Sequence, residues 1–378
     1  MKKLILILIP LVAASLLSAI SFEFDGENRT RAAYYNNVYE IDGGHVDNRL
    51  YLGVNASLHP ELDMRINLQF GDVLWGGSSH PYFNNGSHGG LTAAVDVKAY
   101  ELYIDYRIKA IAANIRVGQQ YWADHMSLVL DDSFSGIMFT LDDLAGFKTE
   151  LGWVKVWENS VFQADDYDYF LLNLSTQDPV SWGIFASLGD HRRDEYTTFT
   201  LKPFVSLGTG SLHLDTSVFM GLHGGHDSLD AGFGAAVKAK LGLGSVDLGA
   251  DVLAASKHGI EILSPYYQNG LYIYGYGKYH DGVNLYWDNP YSLNEDLALS
   301  LVGSAQASLS PKFTLFGTAG YLLDAGFEAN GGLEYEIISG MMKLAGYAAL
   351  GLHDEIGMGT KGEGPTNYVL GTTLLLNF

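Results

Sequence analysis

The sequence predicts an all-β fold, namely a transmembrane antiparallel up-and-down β-barrel of about 18 strands. Three observations carry this prediction. The chain ends in an alternating apolar stretch that finishes on an aromatic residue, period-two segments of strand length fill most of the chain, and short turns occupy every second junction. In outer-membrane barrels lipid-facing and lumen-facing residues alternate along each strand, and short periplasmic turns alternate with longer outer loops.

The last strand is predicted at 367–378. One face carries Tyr368, Leu370, Thr372, Leu374, Leu376 and Phe378. A tilted strand crosses a bilayer in roughly 9–11 residues, so the length fits. The segment resembles the terminal strand of outer-membrane barrels, and the resemblance implies that Phe378 is the signal read by the barrel assembly machinery. An edge strand of a soluble sandwich that happens to end on Phe is the alternative.

The other end of the chain predicts export. Lys2 and Lys3 precede an apolar run from Leu4 to Leu17, and a small-x-small cleavage site follows at 19–21. This pattern is typical of a secretory signal peptide and is too short for a spanning helix. We therefore expect a cleaved leader at 1–21 and a single barrel domain at 22–378, with both termini on the periplasmic side of the outer membrane.

Composition supports an exported, acidic chain. The formal net charge is −21, and loss of the leader with its two lysines and no acid would take it to −23. Such a charge argues against nucleic acid as a partner, and the expected partners are outer-membrane lipid, lipopolysaccharide and small hydrophilic solutes. The 45 glycines and 24 tyrosines suit turns and interfacial aromatic girdles. Cysteine is absent, so closure of the sheet has to supply the stability that disulfides give many exported proteins.

Period two recurs from the first strand to the last. Residues 62–70 are the clearest case, since Leu62, Met64, Ile66, Leu68 and Phe70 alternate with polar residues. The strands are predicted at 22–35, 49–58, 62–70, 100–106, 111–118, 136–141, 147–157, 167–176, 182–188, 196–207, 211–222, 231–243, 246–254, 297–309, 312–323, 329–337, 341–350 and 367–378. The short junctions are predicted at 59–61, 107–110, 141–146, 178–181, 208–210, 244–245, 310–311 and 338–340.

The longest predicted loop, 256–296, is rich in tyrosine. It could fold into the barrel mouth as a constriction or form a hairpin above the membrane, and the sequence leaves both open. Because an extra hairpin here would change the strand count, the choice between 16 and 18 strands also stays open. Whether the barrel is a monomer or a trimer is undecided as well.

The polar face of each strand predicts a water-filled lumen of mixed charge. Such a wall tunes the selectivity of a channel. The residues predicted to line the pore are Asp63, Arg65, Glu101, Asp105, Arg107, Arg116, Lys148, Glu150, Glu334 and Glu336. The three arginines are expected to face Glu101 and Asp105 across or along the pore and to create a local transverse field at a constriction. The plainer alternative for each residue is a cross-strand ion pair that solvates the wall.

Other reactive groupings are weaker. Glu334 and Glu336 would suit an acid–base pair, but two positions apart on one strand they are more simply successive lumen residues. His213, His223 and His226 lack an acid at metal-ligand spacing, and the acidic run 165–168 is a weak cation signal. No catalytic residue, metal site, cofactor or enzymatic activity is expected.

Several short motifs resemble the alginate-export family of outer-membrane porins. They are Glu-Leu-Tyr-Ile-Asp at 101–105, Ile-Arg-Val-Gly-Gln-Gln at 115–120, Ser-Phe-Ser-Gly-Ile at 133–137, the run 281–290 and Gly-Leu-Glu-Tyr-Glu at 332–336. The resemblance implies an 18-stranded monomeric channel, with an arginine-lined lumen when the cargo is an anionic polysaccharide. Arg116 matches the first family arginine, while Gln119 replaces the second and Ser135 stands where Asp is usual, so only the architecture is carried over.

The function predicted from these observations is a porin that lets small hydrophilic solutes or ions diffuse passively. One alternative is a specific transporter or exporter of a sugar or polysaccharide, with the tyrosine-rich loop as a stacking platform. A more distant alternative is a non-conducting surface adhesin. The acidic outer loops predict a mild preference for cations that weakens as salt rises.

Overall fold

The computed structural model describes residues 20–38, 41–75, 97–157, 166–176, 180–225, 229–264, 267–279, 297–323, 325–352 and 366–378. Within them the chain forms 18 strands of one antiparallel sheet that closes on itself. The prediction of an all-β barrel is confirmed, with 18 strands rather than 16. No helix in these ranges has the length and apolar character needed to cross a membrane.

The strands run in chain order around the barrel, each paired with the next. Their bounds are β1 Ser21–Val38, β2 Ile41–His59, β3 Leu62–Leu74, β4 Val97–Ile108, β5 Ala113–Ala123, β6 Asp131–Leu144, β7 Phe147–Trp157, β8 Tyr167–Ser175, β9 Val180–His191, β10 Tyr196–Thr209, β11 Leu212–Gly224, β12 Leu229–Leu243, β13 Val246–Ala255, β14 Ala298–Ser310, β15 Phe313–Leu322, β16 Gly326–Ile338, β17 Met342–Leu352 and β18 Thr366–Asn377.

The first and last strands close the sheet. β1 and β18 pair from Glu27 opposite Asn377 to Asn36 opposite Tyr368. Beyond this ladder the Gly26 amide donates to the Phe378 carbonyl at 2.8 Å, and the Phe378 amide donates back to the Gly26 carbonyl at 3.1 Å. Because every strand has two partners, the sheet has no open edge, which satisfies the backbone groups that a bilayer cannot solvate.

Alternation along the strands separates an apolar outer surface from an inner one. On β4, Leu102 and Ile104 are half exposed, whereas the next residue, Asp105, is buried. On β9, Trp182 and Ile184 are exposed, whereas Phe185 is fully covered. The inner side chains are the better covered ones because other parts of the chain occupy the interior.

The two ends of the barrel differ, as the turn lengths predicted. At the end that carries Ser21 and Phe378, short connections join β2 to β3, β4 to β5 and each later pair up to β16 and β17. We call this the short-turn end and the opposite one the long-loop end. The described strand ends that flank the predicted longer loops lie at the latter, whereas 39–40, 76–96, 280–296 and 353–365 are among the residues that the structure does not describe.

Several strands extend beyond their predicted bounds. The largest difference is β2, predicted at 49–58 and observed at Ile41–His59, followed by β6, predicted at 136–141 and observed at Asp131–Leu144. Asp131 and Asp132, expected in a loop, therefore belong to a strand. The β4–β5 ladder ends where Leu102 lies opposite Gln119. The β5–β6 ladder continues further towards the long loops, and Asp131 and Asp132 lie in this continuation. The leader lies outside the described residues except for its last two positions, and β1 begins at Ser21.

Candidate functional site

Two stretches of the long-loop end turn into the barrel. The first inward segment is 124–130, between β5 and β6. Its Asp124 carboxylate accepts the backbone amides of Leu128, Val129 and Leu130 at 3.3, 2.8 and 2.6 Å. Met126 and Ser127 hold left-handed φ angles of 67° and 56°. A non-glycine residue pays for that conformation, so the surrounding bonds have to hold it in place.

A buried ion pair fixes this segment to the wall. Lys202 of β10 and Asp124 both have fully buried side chains, and the Lys202 ammonium donates to the Asp124 carboxylate. The same ammonium donates to the His125 carbonyl at 2.5 Å. The His125 ring stacks on Phe204 with ring centres 4.4 Å apart. Burial and the nearby Lys202 charge lower the pKa of His125 to about 4, so this imidazole is neutral at pH 7.

The second inward segment comprises 257–264 and 267–279, between β13 and β14. Its first part crosses to the wall formed by β9 and β10. There Glu261 contacts His191 at 2.7 Å and accepts a hydrogen bond from Thr198. It also meets the first inward segment, because the Leu263 amide donates to the Val129 carbonyl at 2.8 Å. The two segments therefore support each other inside the barrel.

The later part of the second inward segment is fastened to β16. The Glu328 carboxylate, fully buried on that strand, accepts the backbone amides of Tyr272, Ile273 and Tyr274 at 2.6, 2.9 and 2.9 Å. Lower on β16, Glu334 binds Lys278 at 2.7 Å. These bonds satisfy backbone and charged groups that would otherwise be buried without partners.

Each inward segment builds an apolar cluster against the wall, so the lumen is not the uniformly wet space that the strand pattern predicted. One cluster joins Leu128, Val129 and Ile260 to inner residues of the strands from β6 to β14. The other joins Leu271, Ile273 and three tyrosines to the strands from β14 to β18 and to β1. Much of the interior is therefore filled, and open space remains along several parts of the wall, including a cavity of about 350 Å³ beside β12 to β15.

A large cavity lies along the wall formed by β1 to β6. It has a volume of about 840 Å³ and we call it the wall cavity. The wall side is polar and aromatic, and Gln268 and Tyr276 of the second inward segment close the opposite side. It extends from Lys98 and Asp131, near the long-loop ends of β4 and β6, to Asp25 and Phe378 at the short-turn end. The cavity thus spans most of the height of this wall.

A second cavity of about 580 Å³, the lower cavity, lies on the wall formed by β4 to β7. Arg107, Arg116, Lys148 and Glu150 contribute to its lining, and Tyr121 borders both cavities. Four of the residues predicted to line the pore therefore lie at this one site. Arg65 lies in the lining of the wall cavity instead.

The predicted charged residues on β3, β4 and β5 form ion pairs with neighbouring strands. Arg65 binds Glu101 at 2.8 Å and Asp25 at 2.9 Å. Arg116 binds Asp105 at 2.8 Å and lies 4.4 Å above the Tyr103 ring. These pairs join strands of one wall that are adjoining or, for Arg65 and Asp25, separated by one strand. These contacts are ion pairs within the wall, as in the plainer alternative, and the transverse field stays a prediction.

The other predicted residues are also engaged. Arg107 pairs with Asp63 near the short-turn end. Lys148 contacts Glu150 at 2.8 Å. Glu334 binds Lys343 at 3.1 Å in addition to Lys278, whereas Glu336 accepts the backbone amide of Gly340 at 2.7 Å in the turn after β16. Glu334 and Glu336 thus have different partners and do not act as a pair.

The described residues that gave the weaker metal signals make other contacts. Asp166 and Asp168 lie 2.7 and 3.5 Å from the Lys155 ammonium, and Asp168 also contacts Arg192. His213 bonds to Asp215 at 2.9 Å. Asp165 and His226 lie outside the described residues. In the part of the chain that is described, no group of three or more potential ligands is placed to hold a metal ion.

Sequence reasoning missed the residues that shape the passage. Asp124, Glu261 and Glu328 hold the inward segments, and Gln268 and Tyr276 line the wall cavity. A lone carboxylate in a loop or at a strand end belongs to no periodic pattern. The one available signal was the tyrosine content of 256–296, which marked the segment without showing where it folds.

Solved structures share this architecture at low sequence identity. Pseudomonas aeruginosa OpdK, crystallised with vanillate, superposes with a TM-score of 0.63 at 12% identity over 95% of this chain and 98% of that one. Pseudomonas aeruginosa OccK3 (OpdO) gives 0.61 at 12% over 97% and 98%. Acinetobacter baumannii OccAB1 gives 0.58 at 11% over 95% and 96%. No protein-family model and no curated protein sequence matches the chain. The likeness establishes the fold.

Proposed function

We propose that this chain is an outer-membrane channel through which small hydrophilic solutes and ions diffuse passively, with the wall cavity as the path. The observation that carries the proposal is the position of that cavity. It is polar, runs along most of the height of a closed barrel and lies behind an outer surface of exposed apolar side chains. Water-filled lumens of transmembrane barrels conduct in this way.

The membrane location has three supports. Large apolar side chains are exposed all round the outside, for example Leu102, Phe170, Val218 and Leu301. A signal-peptide pattern precedes β1. The similar structure OpdK is that of an outer membrane protein. On this proposal 1–21 is removed, both termini are periplasmic, and the outer surface meets lipid and lipopolysaccharide after assembly through Phe378.

Selectivity in the proposed channel arises from the paired charges on the wall. The pore-lining role of Arg65, Arg116 and their partners rests on their position beside the two cavities. Paired charges hydrate the wall and leave a weak net field, so the channel would separate solutes mainly by size. No catalytic role is proposed for Glu334, because its carboxylate is taken up by Lys278, Lys343 and Tyr279.

Two alternatives have an observation in their favour. The motif resemblance to the alginate-export porins favours an exporter of polysaccharide with the same barrel. The two apolar clusters inside the barrel favour a non-conducting adhesin, because they fill much of the lumen. The open wall cavity is the reason to prefer a channel over the second of these.

The proposal is tested by reconstituting the purified protein into planar bilayers. We expect discrete conductance steps. The Gln268 side chain is exposed and lines the wall cavity, so the larger side chain in Gln268→Trp should fill part of that cavity and lower the conductance of each step. Leu301→Trp, on the outer face, is the matched control and should conduct like the parent. Absence of any conductance from the folded protein would favour the adhesin.

A further inference from the structure

We infer that the wall cavity binds neutral pyranose sugars during passage, with the sugar ring stacked on tyrosine and its hydroxyls bound by side-chain amides. The inference rests on the channel proposed above and names the solute class that the channel favours. It follows from three properties of the lining: its aromatic side chains, its amides and its charge balance.

Four tyrosines line the wall cavity. Tyr51, Tyr100 and Tyr121 come from the wall, and Tyr276 comes from the opposite side. The Tyr51 and Tyr100 rings lie 5.1 Å apart and are tilted by 56°, and Tyr121 is 41% exposed. The face of an aromatic ring carries negative potential and attracts the C–H groups that line the flat side of a pyranose.

This platform differs from the one that the tyrosine-rich loop suggested. Tyr267, Tyr272, Tyr274 and Tyr279 of that loop are buried against the wall and cannot meet a solute. Among the described tyrosines of the second inward segment, Tyr276 is the one that lines the wall cavity. The stacking surface is therefore assembled mainly from β2, β4 and β5.

Five side-chain amides share the lining with these rings. They are Asn67, Gln69, Gln119, Gln268 and Asn377. An amide offers both a donor and an acceptor, as does each sugar hydroxyl, so the two match without a change in charge. Gln268 is exposed and lies opposite the wall, where it can meet a solute from the side that the tyrosines of the wall leave open.

The charge balance disfavours anions. Four acidic and three basic side chains line the wall cavity. Arg65 is already bound by Glu101 and Asp25, and the Arg49 guanidinium lies 4.9 Å from the centre of the Tyr51 ring. A carboxylate solute would meet a slight excess of negative charge, whereas a neutral sugar pays no such cost.

Cationic solutes are disfavoured by the state of the carboxylates. Asp25 is held by Arg65, and Asp131 accepts a hydrogen bond from the Tyr121 hydroxyl. An ammonium group would have to displace these contacts and lose its own hydration. A hydroxyl-rich neutral ring can use the amides and leave the ion pairs intact.

Three probes with the same ring separate these cases: glucose, glucuronate and glucosamine. Saturable block of single-channel current is measured for each in planar bilayers at one salt concentration. We expect glucose to have the lowest half-saturation concentration. Tighter block by glucuronate or by glucosamine would overturn the inference, as would an equal block by the open-chain polyol sorbitol, which has no ring to stack.

Variants assign the block to the cavity. Tyr276→Ala should raise the half-saturation concentration for glucose by about two- to tenfold, the range expected for one lost aromatic contact. Tyr276→Phe keeps the ring and should stay close to the parent, and an ion conductance of Tyr276→Ala like that of the parent in the absence of sugar shows that the alanine variant is folded. Tyr106→Ala, on the outer face, is the matched control. Unchanged glucose block in Tyr276→Ala would refute the site.

The outcomes separate this inference from the channel proposal. A folded protein that never conducts refutes both. A protein that conducts ions with no glucose-dependent change in current refutes the sugar site alone and leaves the channel standing.

Discussion

At the scale of single residues, three buried carboxylates set the shape of the interior. Asp124 and Glu328 each accept three consecutive backbone amides from an inward segment. Glu261 joins the second inward segment to β9 and β10. A charged acceptor makes stronger hydrogen bonds than a neutral one, so these residues hold loops that have no ladder of their own.

Glu328→Gln tests whether this anchoring keeps the passage narrow. In the variant an NH₂ group replaces one carboxylate oxygen and faces backbone N–H groups, which are also donors. The lost hydrogen bonds and the unpaired N–H groups lower the stability by about 1–3 kcal/mol. We expect partial release of 272–274 and a larger or noisier single-channel current. Glu61→Gln, in the turn between β2 and β3 and outside the lining of both cavities, is the control and should leave the current unchanged.

Arg116→Glu tests the charge of the lower cavity. The change places a second carboxylate beside Asp105, which Arg116 now neutralises at 2.8 Å. We predict a shift of the reversal potential towards cations, larger at low salt because the Debye length is then longer. Lys312→Glu, in the turn between β14 and β15, makes the same charge change away from either cavity. An equal shift in both variants would show that the effect is not local.

The residue scale also shows the limit of sequence reasoning. Leu102 and Ile104 could be assigned to the outer face because alternation reports which side faces lipid. The cross-strand ion pair between Arg116 and Asp105 could be given only as an alternative. Strand register depends on turn geometry, which cannot be determined from this sequence alone. Glu328 was missed because its partners are backbone amides of a loop distant in sequence.

At the scale of elements, the strands were predictable and the inward segments were not. A strand that crosses a bilayer must have a particular length and rhythm, and both are visible in the sequence. The segments 124–130, 257–264 and 267–279 obey no such rule, because they bury apolar residues against the inside of the wall. Their residues look like ordinary loop residues until the closed sheet surrounds them.

The first inward segment should respond to acid through His125. Its pKa is about 4 in the folded protein, against 6.5 for the free side chain. Between these values the unfolded chain binds more protons, so stability falls as pH drops from 6.5 towards 4 and is unaffected above that window. The difference corresponds to roughly 3 kcal/mol at most. His125→Phe keeps the contact with Phe204 and should flatten the thermal stability of the detergent-solubilised protein across this range. An unchanged acid slope would contradict the assignment.

At the scale of the whole molecule, closure and charge determine behaviour. The closed sheet leaves no unpaired edge. Its outer surface consists largely of apolar side chains, and such a surface is stabilised by a bilayer or detergent. The chain carries a formal charge of −21, while the described wall charges are largely paired. Most of the unbalanced negative charge therefore lies outside the paired groups of the wall.

This distribution predicts a mild preference of the intact channel for cations. Measured reversal potentials in a salt gradient should favour K⁺ over Cl⁻ at low ionic strength, and the preference should decline as salt rises because exposed charges are screened. A preference that persists at 1 M salt would place the selective charges inside the passage. A preference for Cl⁻ would contradict the charge balance described for the wall cavity.

The most direct test of the central claim uses the absence of cysteine from the chain. Gln268→Cys places a thiol in the wall cavity, and Ser300→Cys places one on the buried inner face of β14. A water-soluble, thiol-specific reagent added during single-channel recording should reduce the current through Gln268→Cys and leave Ser300→Cys unchanged. Block of Ser300→Cys with no effect on Gln268→Cys would mean that solutes do not pass along the wall formed by β1 to β6.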